Sequence, residues 1–362
     1  MRPRVSVIMA AHNAERYIRE SVDSILTQTL AHFELIIVND ASTDQTAAIL
    51  ASYRDPRMRV IHNEHNLQPA GARNRAIEVA QGKYLAIQDS DDIAFASRLE
   101  RQAEWLDRNP KTAVVGTYAV PVDETGRELD PARAPVNCAY FTPPTSEIDI
   151  KWTLLFRNLF VHSSVMMHGT AVQQAGGYDP VLTAAFGEDY DLLSRISRFS
   201  HVTNLNERLI KYRVHSQGAT AALTAAEQQR QCDVIARRNM SWVLGCHAVD
   251  SDEWGGIRRF LYTPPAQRID IEQAEARRTI NFLCNLHDAF CRKYGFSGKE
   301  ADRHRKQVFW PWARHALTLS YRRNGTRSLR CRTFLLESAT RLVLRAFLPR
   351  PRKRRCLGQS VY

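Results

Sequence analysis

Three of the four residues in Asp89-Ser90-Asp91-Asp92 are carboxylates, and the stretch follows directly on the apolar run Tyr84-Leu85-Ala86-Ile87. Crowded at the end of a buried strand, such anions repel one another and lose hydration. A divalent cation with oxygen ligands offsets both costs and can itself hold a phosphate. A bare D-x-D is common in loops and is usually only a solvated turn. Its position after a strand of the parallel type turns the reading towards a cation site.

The elements that must hold these carboxylates follow from the apolar pattern. Val5-Ser6-Val7-Ile8-Met9-Ala10 reads as a strand, with Asn13 expected as the N-cap of the next helix and Glu15 in its first turn. Ile18, Val22, Ile25 and Leu26 then repeat on one helical face that ends near Leu30. Phe33 to Val38 is a second strand, and Ser42 with Gln45 forms a predicted capping box for a helix through Leu50. Met58 to Ile61, Ala70 to Ala80 and Tyr84 to Gln88 continue as strand, helix, strand, and Ser97 with Glu100 predicts another capping box before a helix to Asn109-Pro110. Residues 121–150, rich in Pro, Asp, Glu and Thr, read as an insertion or long flap, and Trp152 to Phe160 as an apolar segment against the sheet edge. A strand over Ser163 to Met167, a short helix over Thr170 to Ala175 and a strand pair or extended segment over Val202 to Val214 are expected next, with helices beyond Ala219.

Strands and helices alternating in this way imply a doubly wound, mainly parallel α/β sheet with helices on both faces. Ligands of such sheets bind beyond the carboxyl ends of the strands. That rule puts Ala11-His12-Asn13, Asn39-Asp40 and Asp89 to Asp92 on one rim. No G-x-G-x-x-G follows the first strand and no Walker-type G-K-[ST] occurs, so any phosphate bound here is expected to be held by metal.

Charge divides the chain. Residues 1–220 carry 23 Lys and Arg against 26 Asp and Glu, whereas residues 221–362 carry 27 against 12. We therefore expect two units, 1–220 and a mainly helical basic region over 221–362, the second seeking anionic surfaces. Seven cysteines without a C-x-x-C pair read as reduced structural thiols, and no h-region or run of about 18 apolar residues is seen, which together predict a cytoplasmic protein.

Over residues 4 to 218 the chain resembles family 2 glycosyltransferases of the GT-A fold. The resemblance is carried by Val5-Ser6-Val7-Ile8 with Asn13, Phe33 to Asp44, Ala72-Arg73-Asn74, Asp89-Ser90-Asp91-Asp92, Gly176-Gly177-Tyr178-Asp179 and Gly187-Glu188-Asp189-Tyr190-Asp191, in matching order and spacing. It implies transfer of a sugar from a nucleotide-diphosphate sugar, with a UDP-sugar expected, to a hydroxyl of a saccharide or lipid-linked acceptor in cell-surface polysaccharide or glycan biosynthesis. By the same resemblance Asp40 accepts a hydrogen bond from the base, and His12 stands where the family commonly stacks a Tyr on it. Ala10, Asn13, Arg73, Asp89 and Ser90 belong to the nucleotide-sugar site, with Arg73 near the diphosphate and Asp89 nearer the ribose and sugar. Asp91 is the expected ligand of Mg2+ or Mn2+, and His215 lies in a segment that closes over the diphosphate or metal. Asp189 is the expected base of an inverting displacement and Glu188 its positioning neighbour. Gly187-Glu188-Asp189 also reads as an acidic start of the next helix, which is compatible with that role. His162 is a weaker site candidate. Trp152 and Tyr178 are candidates to stack on an acceptor sugar, with core packing favoured for Trp152.

After Ala301 the chain holds 16 Lys and Arg against two acids. Three readings of this rear are open: peripheral attachment to an anionic membrane surface on the cytoplasmic side, which is favoured; a helical cap with a solvated tail; and nonspecific contact with nucleic acid, the least favoured. Two rival functions stand beside the transferase: a sugar-nucleotide nucleotidyltransferase, which ordinarily brings a Gly-rich basic loop after the first strand, and a noncatalytic sugar-nucleotide or membrane-binding protein.

Overall fold

The structure, a computed structural model, describes residues 2–130, 141–181, 187–216, 218, 224–245, 249, 254–258 and 273–309. The chain divides into two compact units, Met1–Val249 and Asp250–Tyr362.

Four strands form the parallel half of one sheet in the first unit: β1 (Val5–Ala11), β2 (Phe33–Asn39), β3 (Met58–His62) and β4 (Tyr84–Ile87). Val5 pairs with Phe33 on one side and Tyr84 on the other, so β1 lies between β2 and β4. Helices α1 (Ile18–Leu26), α2 (Thr46–Ala51) and α3 (Gln68–Val79) make the crossovers. The other half holds β5 (Ile93–Ala94), β6 (Thr112–Val122), β7 (Met166–His168) and β8 (His201–Arg213), in the overall order β3-β2-β1-β4-β7-β6-β8-β5. There β7 runs antiparallel to β4 and β6, β5 antiparallel to β8, and β6 parallel to β8. Helices α4 (Arg98–Arg108), α5 (Glu147–Thr153), α6 (Gly169–Ala175), α7 (Glu188–Ser197) and α8 (Ala225–Leu244) complete the unit. The expected architecture, a mostly parallel sheet between helical layers followed by a helical region, is what the chain adopts.

Two cores explain why both faces of the sheet are covered. Val5, Val7, Met9 and Ala11 of β1 pack with Ile18, Val22 and Ile25 of α1 and with Leu99, Ala103 and Leu106 of α4. Ile8, one pleat over, packs with Ala72 and Ala76 of α3 and with the layer of Leu192, Leu193 and Ile196 from α7. Ile235 of α8 joins that second layer, so the boundary expected near 220 falls inside the first unit. Trp152 is fully buried beside Phe156, as its favoured packing role requires.

Several local expectations are corrected. Asn13 caps no helix: its φ of 49° is left-handed and α1 starts at Ile18. Neither Ser42 nor Ser97 forms a capping box, because α2 begins after Gln45 and Glu100 accepts instead from Thr29. Thr112–Val122, partly assigned to the flap, is a full strand, and β8 is one strand of 13 residues, the extended segment rather than the strand pair of the two expected readings. Gly116 lets those two strands close, since a Cβ there would lie 2.2 Å from Oδ1 of Asn204.

In the second unit the described residues form helices Gln273–Tyr294 and Gly298–His304, with Leu283, Leu286 and Phe290 buried and His287 stacked on His304. The polybasic stretch proposed to meet a membrane lies outside the described residues. No described helix is long and apolar enough to cross a bilayer.

Candidate active site

Because β1, β2 and β4 are parallel and in register, the loops that follow them emerge at one edge. The Asp40 amide donates to the Ala11 carbonyl at 2.8 Å and the Gln88 amide to that of Ile8 at 3.0 Å. Asn13 and Ala41 take left-handed φ values of 49° and 54° and are stitched together: the Asn13 amide donates to Ser42 Oγ at 3.0 Å, and the Thr43 amide donates to Asn13 Oδ1 at 2.8 Å. Non-glycine residues in this region mark backbone held against its preference, as binding loops commonly are. His12 is exposed, and its Nδ1 lies 2.7 Å from the Asp40 carbonyl. A carbonyl only accepts, so Nδ1 carries a proton. Asp40 is 3% exposed, and its Oδ1 accepts from Asn63 Nδ2 at 2.6 Å and from the Leu67 amide at 2.9 Å, just before α3. Ala10 packs half-buried against the second core, and Ser90 is half-buried in the acidic loop.

The three carboxylates of that loop part company. Asp92 is 1% exposed, and it accepts from the Ser163 hydroxyl and, at 2.8 Å, from the Arg213 amide. Burial, with Asp91 and Asp89 beside it, pushes its carboxyl well above the usual range, and both of its oxygens are engaged within the protein. Asp89 meets Nη2 of Arg73 at 2.8 Å; burial opposes its ionisation, but Arg73 outweighs that and holds it below the usual range. Asp91 Oδ2 lies 2.9 Å from Nε2 of His215. Behind the loop, Gln88 Nε2 reaches the carbonyls of Asp89 and Asp92 at 3.2 and 2.8 Å, and its Oε1 accepts from the fully buried Arg98 at 2.8 Å.

Arg73 draws the second acidic motif onto this edge. Its other amino group, Nη1, donates to Glu188 Oε1 at 2.6 Å, so one buried guanidinium joins the loop after β4 to the start of α7. Burial alone would weaken its charge, but Asp89 and Glu188 more than reverse this and hold it protonated. Both amino groups are therefore taken by carboxylates, in the residue that the family resemblance implies lies near the diphosphate. Gly187, at φ 89°, precedes Glu188, and Asp189 accepts from Asn158 Nδ2 at 2.7 Å and from the Tyr190 amide at 2.6 Å. Burial, then the neighbouring Glu188, pushes Asp189 up to about 7.

His162 sits at the junction, with Nε2 3.0 Å from the Tyr178 hydroxyl and Nδ1 3.8 Å from Asp89. Burial and the charge of Arg73 lower it to about 4, so it is neutral at physiological pH. Tyr178 is 2% exposed with its hydroxyl engaged, which removes it as a platform for an acceptor sugar.

The described residues contain no group of three or more His, Cys, Asp or Glu able to hold a metal. The pair Asp91 and His215 nevertheless fits a hard divalent ion that keeps open positions. Two adjacent ligands on an octahedral ion with bonds of about 2.1 Å stand about 3.0 Å apart, and the observed separation is 2.9 Å. An ion held here would take its other ligands from substrate oxygens and water.

The model of the glycosyl transferase family 2 matches residues 6–172. An uncharacterized glycosyltransferase of Haemophilus influenzae is 32% identical over 250 residues, which are 68% of this chain and 76% of that one. The chain belongs to glycosyl transferase family 2. This family 2 enzyme is also 39% identical over 116 residues, 32% of its own length and 46% of the relative's, to the Escherichia coli UDP-Glc:alpha-D-GlcNAc-diphosphoundecaprenol beta-1,3-glucosyltransferase WfgD. Its fold is similar to that of S. aureus TarS in complex with UDP, with a TM-score of 0.53, 20% identity and 88% of each chain covered. Membership sets the nucleotidyltransferase reading aside: the protein is a glycosyltransferase.

Of the residues named from sequence, His12, Asn13, Asp40, Asp89 and Asp91 lie on the loops after β1, β2 and β4, and Arg73, His162, His215 and, through Arg73, Glu188 touch them by the contacts above, whereas Trp152 packs in the core. Asn158, Arg98, Gln88 and Arg213 were missed. Asn158, with Arg157, is a polar break in the otherwise apolar run from Leu154 to Phe160, a signal that was open to notice. A buried arginine reads from sequence as a surface one.

Proposed function

We propose that the protein is an inverting, metal-dependent transferase that moves a sugar from a UDP-sugar to a hydroxyl of a saccharide or lipid-linked acceptor during cell-surface polysaccharide assembly. The observation that carries this reading is Arg73, whose two amino groups bind Asp89 and Glu188 and so hold the acidic loop and the Asp189-bearing helix at one edge. Asp40 uses Oδ1 to fix itself to Asn63 and Leu67, and its Oδ2 is the acceptor for the imide of uracil, with the exposed His12 ring stacked on the base.

Asp91 and His215 would hold the ion, which when bound supplies Lewis-acid neutralisation of the charge building on the departing diphosphate. The acceptor oxygen bonds to the anomeric carbon as the bond from that carbon to the phosphate oxygen breaks. Asp189 takes the hydroxyl proton from the face opposite the leaving group, so configuration inverts. Its carboxyl, raised to about 7, suits a general base at neutral pH. Glu188 orients α7 through Arg73. The relation to WfgD supports UDP as the nucleotide and a lipid diphosphate as the acceptor class. The basic rear supports a position at the anionic cytoplasmic face of a membrane, where such acceptors are held.

The test is Asp189→Asn assayed with UDP-sugars and measured for UDP binding with Mn2+. Transfer should fall at least about a thousandfold, within the span seen when a general base or its triad is lost, while UDP affinity stays within threefold. Unchanged turnover would remove Asp189 from the mechanism.

A further inference from the structure

We propose that Arg213 is a positioning residue that sets the geometry of Asp91 against His215, and through it the coupling between cation and nucleotide binding. This rests on the reading above that the Asp91–His215 pair holds the cation.

Arg213 ends β8, and its side chain is 1% exposed. Its amide donates to Asp92 Oδ1 at 2.8 Å and its Nε to the carbonyl of Asp91 at 2.9 Å. Nη1 donates to the carbonyls of Asp123 and Glu124 at 3.3 and 3.0 Å, in the turn after β6, and Nη2 pairs with Glu20 of α1. Only a guanidinium offers five N–H donors in one rigid plane, so this one group fixes four segments distant in sequence relative to one another.

What marks the arrangement as positioning rather than neutralisation is where Nε points. It grips Asp91 by the backbone carbonyl, not the carboxylate, and so leaves that carboxylate to face His215. The charge is paired instead with Glu20, whose side chain is 55% exposed. A buried cation without such a partner would be costly and would oppose a second cation nearby. Tyr17 completes the device. The guanidinium carbon of Arg213 lies 4.6 Å from the centre of the Tyr17 ring, and the His215 ring lies 4.7 Å from the same ring. The residue that holds Asp91 from behind thus shares one aromatic wall with the histidine two positions along the chain.

The experiment measures the UDP dissociation constant of the full-length protein in EDTA and in Mn2+, for wild type, Arg213→Lys, Tyr17→Leu and Asp91→Asn, with melting in EDTA as the check on folding. Lysine keeps a charge for Glu20 but cannot make the fork. The expected result is that Arg213→Lys reduces the Mn2+ enhancement of UDP affinity at least fivefold while the constant in EDTA changes less than twofold. Tyr17→Leu removes no hydrogen bond, because the Tyr17 hydroxyl has no partner among the described residues. It should reduce the enhancement at least threefold and serves as the deciding variant if Arg213→Lys does not fold. A folded Arg213→Lys, or failing that Tyr17→Leu, with the wild-type enhancement overturns the role of Arg213. A wild type without enhancement, or an Asp91→Asn protein that keeps it, overturns the cation reading itself.

Discussion

Asn158 donates a 2.7 Å hydrogen bond from Nδ2 to Oδ2 of Asp189. The orientation of the amide is fixed by its other end, since Asn158 Oδ1 accepts from the Phe160 amide at 3.0 Å and so must be the carbonyl oxygen. The donor therefore faces the carboxylate, and it favours the ionised form that can take a proton. Burial and Glu188 push Asp189 up to about 7, against the Tyr190 amide and Arg73, which lower it.

Replacing Asn158 with Ala is therefore expected to move the acid limb of the activity profile to higher pH. A hydrogen bond to a charged group is worth about 1.5–3 kcal/mol, or about 1–2 pH units. The plateau rate should change little. A profile of kcat against pH reads this directly, and a limb that stays in place would separate Asn158 from the ionisation of Asp189.

Stability carries the opposite face of the same shift. The folded protein binds the Asp189 proton more tightly than the unfolded chain, so its contribution is present below the unfolded carboxylate range. It is lost as pH rises from about 4 towards 7. Asp189→Asn, which cannot ionise, should match wild type near pH 4 and melt higher than wild type at pH 8, by about 2–4 °C for each kcal/mol gained. Melting curves at the two pH values test the sign. A variant less stable at pH 8 than at pH 4, relative to wild type, would contradict it.

The parallel half of the sheet was open to reading because strands buried on both faces are written as near-continuous apolar runs, as in Leu35 to Val38 and Tyr84 to Ile87. The strand-end rule then located His12, Asp40 and the acidic loop without a structure. The second half was harder. Gly116 and Pro121 interrupt β6, and both residues argue against a strand until Asn204 is seen to need the space. Local capping rules failed at Ser42 and Ser97 because tertiary partners took the side chains they relied on: Ser42 serves Asn13, and Glu100 serves Thr29. Within the site, residue types were legible and pairings were not. That Arg73 would be shared between Asp89 and Glu188, the second of them 115 positions from it, is a property of the folded chain.

Asp91 and Asp92 should separate cleanly on substitution. Asp92 is buried, and its carboxyl is held well above the usual range by burial and its acidic neighbours, so an amide replaces it without removing a needed charge. Asp92→Asn is expected to keep the Mn2+ enhancement of UDP binding within about threefold and to cost about 1–2 kcal/mol for the disturbed bonds to Ser163 and Arg213. Asp91→Asn should show the reverse, with near-native stability and lost enhancement. Calorimetry with denaturant melts distinguishes the two, and equal loss of enhancement in both variants would make Asp92 a ligand.

Gly187 tests whether the start of α7 is a positioned element or only a turn. Its φ of 89° lies where a side chain costs about 1–2 kcal/mol, and a Cβ there would stand 3.1 Å from Ile235 Cδ1 of α8. Glu188 and Asp189 follow immediately and Ile235 is itself packed in the second core, so the strain of a side chain here bears on the bonds to Arg73 and Asn158. Gly176 supplies the comparison, because it has nearly the same φ, 83°, and nothing within 4 Å of its Cβ position. Gly176→Ala should cost about 1–2 kcal/mol in a denaturant melt and leave kcat within about twofold. Gly187→Ala should cost at least as much and lower kcat more than tenfold, with the Mn2+ enhancement of UDP binding retained, since Asp91 and His215 sit on other elements. Equal kcat in the two variants would mean that the Asp189 carboxylate tolerates displacement, and that the close approach of α8 to Gly187 serves stability alone.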